Sequence, residues 1–164
     1  MEYEHIVHGF EPIYDQHSRV LILGSLPSVK SREQSFYYGH PQNRFWRVLA
    51  AVCGCETPSS VEEKKRFLLS NRIALWDVIA ECDIIGSSDS AIRNAVPTDI
   101  MPVLSGSDIR CIFVNGAAAG KIYDRYHKPL TGRDAVRLPS TSPANAAYCF
   151  DRLLSNWSVI AQYI

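Results

Sequence analysis

The chain has 164 residues, of which 46% are hydrophobic and 21% charged, and its formal net charge is zero. This composition is typical of globular proteins, and we expect residues 1–164 to form a single domain with one sizeable core. It excludes a protein that coats DNA by bulk positive charge, and no run approaches the roughly 20 apolar residues that span a bilayer.

The first half of the chain alternates short apolar runs with helical patterns. Buried strands are expected where a short apolar run ends at a turn residue, and helices where apolar residues recur at a spacing of three or four. The predicted elements are, in order, a strand over residues 19–24, a helix from Phe45 to Val52, a helix that Ser59 or Ser60 caps and that ends at Leu69, and a strand over residues 72–78.

The second half continues the alternation. Its predicted elements are a short helix that Thr98 caps and that ends at Leu104, a strand over residues 110–116, a helix from Ala117 to Tyr126, a strand over residues 134–139, and a helix from Ala144 to Ile164. Strands that alternate with helices predict an α/β fold of three layers, α/β/α, with a central four-stranded parallel sheet. Ligands of such sheets bind beyond the carboxyl ends of the strands.

Two loops rich in Gly, Pro and Ser follow the first and the last predicted strand. The first is Gly24-Ser25-Leu26-Pro27-Ser28, and the second is Ser140-Thr141-Ser142-Pro143-Ala144-Asn145. Backbone N–H groups of such loops can approach a phosphate closely, and the second loop precedes a predicted helix start, where a phosphate fits. We therefore expect both loops to contact a nucleic-acid backbone.

A block dense in aromatic and amide groups covers residues 37–46. Asn43 is either an N-cap or an amide that orients a water molecule, and the two roles coexist poorly because a capping oxygen is already engaged. His40 either acts on a leaving base or makes a hydrogen bond inside the loop. The aromatic residues of this region can stack on a base or cover the loop against the core; they are Phe36, Tyr37 and Tyr38.

Two further polar residues stand at predicted strand ends. Asp77 either caps a turn or accepts a hydrogen bond from the edge of a base. Asn115 precedes Gly116, and Asn-Gly is also a turn dipeptide. A local basic rim around these residues can come from Lys30, Arg32, Arg44, Arg47 and Lys121.

The five cysteines predict free thiols in a reducing compartment. Their number is odd, and one residue separates Cys53 from Cys55, whereas zinc knuckles leave two to four. The segment Met1–Glu4 lacks the basic and apolar regions of a secretory signal, so we expect a cytoplasmic protein. The sequence also lacks the glycine-rich dinucleotide motif, the Walker motif, the nucleophile elbow and the zinc-protease motif.

The same blocks resemble those of the uracil-DNA glycosylase superfamily. His40–Trp46 is similar to the His-Pro-x-Asn-Arg-Phe-Trp block of the mismatch-specific uracil and thymine glycosylases, and Leu138–Pro143 resembles their second motif, the loop that inserts into the duplex. The hypoxanthine-DNA glycosylase branch is more similar still. It shares the segments Gly24–Ser28, Tyr37–Trp46, Ala74–Val78 and Leu138–Asn145, and the resemblance extends over residues 19–160.

The resemblance implies a monofunctional DNA glycosylase of base excision repair that flips a deaminated base, hypoxanthine in particular, and hydrolyses its N-glycosidic bond. It implies no cofactor and no metal ion. The implied partner is duplex or single-stranded DNA that contains a deaminated base, with no membrane, and the protein is expected to be a monomer that acts at the nucleoid.

The resemblance also assigns roles to residues. Asn43 and Asn115 match the two important asparagines of the hypoxanthine branch, and His40 joins them as a candidate catalytic group. Base contacts are expected from Gly24, Ser25, Leu26, Tyr37, Tyr38 and Asp77, and DNA contacts from Pro27, Ser28, Ser140, Thr141, Ser142, Pro143, Ala144 and Asn145. Leu26 departs from the mismatch-specific enzymes, whose Asn there positions the water, so Asn43 would have to hold the water instead.

Other functions stay open at the level of sequence. Uracil presents the same N–H beside a carbonyl as hypoxanthine, so uracil, xanthine and G·T or G·U mismatches are alternative substrates. Leu26 favours a second alternative, a non-catalytic module that binds damaged DNA. A small-molecule hydrolase or a nucleotide-binding module on the same sheet is a third, although the absence of a nucleophile elbow weighs against a hydrolase.

Overall fold

The structure is a computed structural model that describes residues 2–34, 36–85 and 91–164. Its strands are β1 (Glu4–Val7), β2 (Val20–Gly24), β3 (Ile73–Asp77), β4 (Ile79–Ile84), β5 (Arg93–Pro97), β6 (Cys111–Asn115) and β7 (Ala135–Leu138). A four-stranded parallel sheet has the order β3-β2-β6-β7. These four strands lie within the predicted runs, which confirms the expected α/β fold.

The helices are α1 (Val29–Gln34), α2 (Phe45–Cys53), α3 (Val61–Ser70), α4 (Met101–Ser105), α5 (Ala117–Ile122), α6 (Lys128–Thr131) and α7 (Phe150–Trp157). A π-helical segment, Tyr123–His127, joins α5 to α6, and a 3₁₀ helix, Ser158–Gln162, follows α7. Among the described residues, no helix is both long and apolar enough to cross a membrane. All five cysteines have free thiols, as predicted.

The parallel sheet is covered on both faces because its central strand is apolar on both. All five residues of β2 are buried. Val20 and Ile22 belong to a core cluster with residues of α2 and α7, whereas Leu21 and Leu23 belong to a second cluster with residues of α4 and α5. The alternation of side chains along a strand therefore creates the two outer helical layers that the sequence predicted.

A second sheet was not predicted. It is antiparallel, with the order β1-β4-β5. The prediction stopped at residue 78, but β4 begins at Ile79 and pairs with β1, whose residues are more than 70 positions away. The backbone N–H of His8, just beyond β1, donates a 2.7 Å hydrogen bond to the carbonyl oxygen of Ala80. This pairing carries the N-terminal segment to the edge where β3 ends.

One predicted cap is confirmed and another is wrong. Ser60 caps α3, since its hydroxyl oxygen accepts from the Glu63 backbone N–H. Thr98 does not cap α4, which begins at Met101, and the oxygen that accepts from the Met101 N–H belongs to Asp99. The Thr98 hydroxyl instead donates to the carbonyl oxygen of Asp77, at the end of β3.

Two predicted helices have different bounds in the structure. The helix predicted to end at Tyr126 continues through the π-helical segment to Thr131. The last helix begins at Phe150 rather than at Ala144. Residues 142–148 form turns instead, because the carbonyl oxygens of this segment accept hydrogen bonds from a distant arginine, Arg44.

Candidate functional site

A cavity of about 330 Å³ opens at the carboxyl edge of the parallel sheet. Of the predicted site residues, all except Asn145 and the stacking candidate Phe36 line it, together with Lys30 and Ser31. The walls come from the loop after β2, the block before α2, the ends of β3 and β6, and the loop after β7. The volume falls within the range of about 300–1,000 Å³ that is typical of small-molecule sites.

Asn43 lines the cavity and also makes a hydrogen bond to the start of a helix. Its Oδ1 atom accepts a 2.9 Å hydrogen bond from the backbone N–H of Phe45, the first residue of α2. Its own backbone N–H donates to the carbonyl oxygen of His40 at 3.0 Å. An amide oxygen has two acceptor sites, so the bond to Phe45 leaves one for a water molecule. Arg44 occupies the N-cap position, so the predicted cap at Asn43 is wrong, but the Asn43 side chain satisfies an N–H of the first turn and can still orient a water molecule.

His40 is half-buried in the same wall. Its Nδ1 atom accepts a 3.1 Å hydrogen bond from the backbone N–H of Gln42. A ring nitrogen that accepts carries no proton, so the neutral imidazole of His40 bears its proton on Nε2. His40 can thus accept the hydrogen bond of the loop at Nδ1 and donate to a ligand from Nε2.

Asn115, at the end of β6, is hydrogen-bonded both to the block before α2 and to the second loop. Its Nδ2 atom donates to the phenolic oxygen of Tyr38 at 3.2 Å and to the Thr141 hydroxyl at 3.0 Å. Its Oδ1 atom accepts from the Thr141 backbone N–H at 3.1 Å. Both N–H bonds of this amide are engaged within the protein, and the contacts fix the second loop against the end of β6.

Arg44 is not the rim cation that the sequence suggested. Its guanidinium donates to the carbonyl oxygens of Ser142 at 2.9 Å and of Asn145 at 3.2 Å, and also to those of Thr141 and Tyr148. Four bonds from one fork-shaped donor organise the whole segment that follows β7. No local pattern in the sequence could show these contacts.

The second loop is also bonded to itself. The Ser142 backbone N–H donates to the Ser140 hydroxyl at 3.1 Å, and the Ala144 N–H donates to the Ser142 hydroxyl at 3.2 Å. Asn145 lies behind the loop, where its Nδ2 atom donates to the Ser140 carbonyl oxygen at 3.0 Å. Because no helix begins here, the predicted phosphate site at a helix start is wrong, and the loop can offer a phosphate only its hydroxyl and backbone groups.

Asp77 is 3% exposed at the end of β3, with one carboxylate oxygen beside the loop after β2. A Cβ atom added to Gly24 would lie 2.5 Å from Asp77 Oδ1 and 2.7 Å from the Tyr38 phenolic oxygen. Only glycine leaves room for both oxygens. The other carboxylate oxygen, Oδ2, accepts a 2.7 Å hydrogen bond from Nε2 of His8, a residue that the sequence analysis missed because its partner is 69 positions away.

The three aromatic residues have different surroundings. Phe36 lies in the core, where its ring is parallel to that of Trp46, and it does not line the cavity, so a base-stacking role for Phe36 is wrong. Tyr37 is buried, its hydroxyl donates to the Glu11 carbonyl oxygen at 2.7 Å, and burial raises the pKa of its phenol. Tyr38 adopts an unusual positive φ of 52° and stacks on Phe45 with 3.9 Å between ring centroids.

A second cavity, of about 610 Å³, shares Ser25 with the first. It lies between β5 and the helix that contains Lys121 and Arg125, and both cations line it. Lys121 was among the predicted rim cations. Within residues 2–34, 36–85 and 91–164, no group of three His, Cys, Asp or Glu side chains is arranged to hold a metal ion.

Comparison with known proteins places this geometry in a family. The model of the uracil DNA glycosylase superfamily matches residues 11–160. A protein of Methanosarcina acetivorans named hypoxanthine DNA glycosylase is 35% identical over 163 residues, covering 96% of this chain and 99% of its own. A protein of the same name from Methanosarcina barkeri is 32% identical over 144 residues, covering 84% of this chain and 87% of its own.

Similarity extends to a solved structure. The solution NMR structure of a uracil DNA glycosylase candidate from Methanosarcina acetivorans superposes with a TM-score of 0.80 at 35% sequence identity. The match covers 94% of this chain and 95% of that one.

Proposed function

We propose that this chain, which belongs to the uracil DNA glycosylase superfamily, hydrolyses the N-glycosidic bond of hypoxanthine flipped out of DNA. The observation that carries the proposal is the meeting of Asn43, His40 and Asp77 at one cavity between two serine-rich loops. Both relatives named for hypoxanthine excision match most of this chain, which supports that base as the substrate.

Asp77 supplies the recognition of the base. Its Oδ1 atom accepts the N1–H of hypoxanthine, a hydrogen that adenine lacks because its N1 carries a lone pair. Adenine in the same position would place a second acceptor against the carboxylate of Asp77, a residue that is 3% exposed. Mismatched buried polar groups are costly, and sites built on such pairing reject the wrong base strongly.

The two serine-rich loops hold the DNA open. Flipping costs a few kcal/mol, and least when the base is poorly paired. Ser142, Pro143 and Ala144 enter the vacated stack, while the hydroxyl and backbone groups of Ser25 and Ser28 contact a flanking phosphate. The hydrogen bonds that Arg44 and Asn115 donate to the second loop keep it in place for this insertion.

Hydrolysis proceeds without a strong base. An amide does not remove a proton at neutral pH, so Asn43 orients a water molecule while the sugar approaches an oxocarbenium ion. The bond between the sugar C1′ and the base nitrogen breaks with its electron pair on the departing purine, where the Nε2–H of His40 stabilises the charge. Water then bonds to C1′, and the proton that it loses ends on the departing base. Asn115 acts by holding Tyr38 and Thr141, since both of its N–H bonds are engaged there.

We further propose that the protein acts as a monomer in a reducing compartment, the cytoplasm. A cavity lined by residues of one chain supports the first point, and five free thiols support the second.

A single-turnover assay on a lesion panel tests the proposal. Purified protein in excess is incubated with matched duplexes that contain deoxyinosine, deoxyuridine, deoxyxanthosine or a G·T mismatch, and abasic sites are cleaved with alkali. We expect the fastest strand scission on deoxyinosine. A faster reaction on another lesion would reassign the substrate, and binding to deoxyinosine DNA without scission on any duplex would identify a non-catalytic binding module.

A further inference from the structure

We propose that His8 is a positioning residue that holds Asp77 as a hydrogen-bond acceptor and thereby sets which purine the cavity accepts. The inference rests on the proposed function and adds a residue that is remote in sequence from every motif of the site. Its basis is a buried contact in which the His8 imidazole and the Asp77 carboxylate are joined at 2.7 Å.

The contact is closed to solvent. The side chains of His8 and Asp77 are 4% and 5% exposed, so water does not compete for either group. A hydrogen bond between such groups is worth more than one at the surface, and an unpaired carboxylate in the same place would be costly. The second sheet creates this arrangement, because the backbone of His8 is bonded to Ala80, three residues beyond Asp77.

The orientation of the imidazole is determined from both sides. Its Nδ1 atom accepts a 3.4 Å hydrogen bond from the Phe10 backbone N–H, so the neutral ring carries its proton on Nε2 and donates it to Asp77 Oδ2. The ring also contacts Phe10, Tyr37 and Trp76, with centroid distances of 4.7, 6.1 and 6.3 Å. These contacts keep the donor aimed at the carboxylate.

The contact with His8 determines which oxygen of Asp77 can bind the base. With Oδ2 engaged by His8, the oxygen that remains for a ligand is Oδ1, which lies beside Gly24 at the cavity. Without this donor the carboxylate of Asp77 is no longer held in one orientation, so Oδ1 is no longer fixed where it can accept an N–H of the base. His8 therefore keeps the site selective for a base with a hydrogen on N1.

The test compares three substitutions of His8 by excision rate and by choice of base. His8→Phe keeps an aromatic ring and removes the donor. His8→Gln puts an amide N–H near the position of Nε2, whereas His8→Asn puts it near the position of Nδ1, out of reach of Asp77. Each variant is assayed at single turnover on a deoxyinosine duplex and on a duplex with unsubstituted purine, whose N1 carries a lone pair, and folding is monitored by thermal unfolding.

We expect His8→Phe and His8→Asn to lower kcat/KM on deoxyinosine about tenfold or more, as loss of a hydrogen bond to a charged group predicts. We also expect the ratio of hypoxanthine to purine excision to fall, and His8→Gln to restore both quantities. If His8→Phe does not fold, the two amide variants carry the same comparison. Wild-type rates and ratios in folded His8→Phe or His8→Asn, or equal defects in the Gln and Asn variants, would overturn the inference. A wild-type protein inactive on deoxyinosine would overturn the proposed function itself.

Discussion

The guanidinium of Arg44 donates a 2.9 Å hydrogen bond to the carbonyl oxygen of Ser142, 98 positions further along the chain. Arg44 directly follows Asn43, the candidate water-binding residue. Its side chain thus holds the loop after β7, which we expect to insert into the DNA. Three more bonds from the same side chain extend along that loop to Tyr148. Arg44 therefore connects the block that contains Asn43 to the loop after β7.

Replacing Arg44 should damage both stability and DNA handling. We expect Arg44→Ala to lower the free energy of unfolding by about 2–4 kcal/mol, because four carbonyl oxygens lose a charged donor. Arg44→Lys should recover only part of this loss, since an ammonium group cannot reproduce the fork of the guanidinium. Urea unfolding measures the stability. Wild-type stability and deoxyinosine affinity in Arg44→Ala would contradict the structural role assigned here.

The two roles of Asn43 can be separated by substitution. Asn43→Ala removes both the hydrogen bond to α2 and the amide, and it should lower the single-turnover rate on the preferred duplex by at least about tenfold. Asn43→Ser is the matched variant, because a serine hydroxyl can also accept from the backbone N–H two residues ahead but does not reach as far into the cavity. We expect Asn43→Ser to be more stable than Asn43→Ala and almost as slow. A serine variant with wild-type rate would mean that Asn43 only supports the start of α2.

Gly24 should tolerate no side chain. The Cβ of Gly24→Ala would lie 2.5 Å from Asp77 Oδ1, which is closer than such atoms approach, so the carboxylate must move. We expect loss of base recognition, seen as a rise in KM and about a tenfold fall in kcat/KM on deoxyinosine. Gly9→Ala is the control, since no heavy atom lies within 4 Å of the Cβ position there. Equal activity of the two variants would show that the Asp77 position is not critical.

The cations of the second cavity should contribute to DNA affinity. Lys121 and Arg125 lie one helical turn apart and line a cavity that shares Ser25 with the first. We expect Arg125→Glu to weaken binding to all duplexes alike and to reduce the slope of log affinity against log salt by about 0.9 or more, as loss of one phosphate contact predicts. Arg66→Glu, an equal charge change on the exposed surface of α3, is the control. Equal salt slopes in both variants would remove this surface from the DNA footprint.

The sequence predicted what depends on neighbouring residues. The runs at 19–24 and 110–116 are apolar on both faces, which is characteristic of strands buried in a parallel sheet. Because parallel strands end at the same edge of a sheet, the polar residues that follow them were expected to lie close together. The cap at Ser60 was likewise predictable, because a capping serine bonds only three residues ahead.

Contacts between distant residues could not be predicted in this way. The helix expected from Ala144 is replaced by turns because its carbonyl oxygens bond to Arg44, about 100 positions away. The partner of Asp77 was missed for the same reason, since His8 reaches it only through the pairing of β1 with β4. Local propensity contains no information about either contact.

Release of the free base shows whether a flipped purine occupies the cavity and loses its sugar there. A duplex with one deoxyinosine is incubated with excess protein, and free hypoxanthine and abasic sites are both quantified by mass spectrometry. We predict that the two products appear together in equal amounts and that Asn43→Ala slows the release of both. Tight binding of the duplex with no free hypoxanthine, or release of an intact nucleotide, would contradict it.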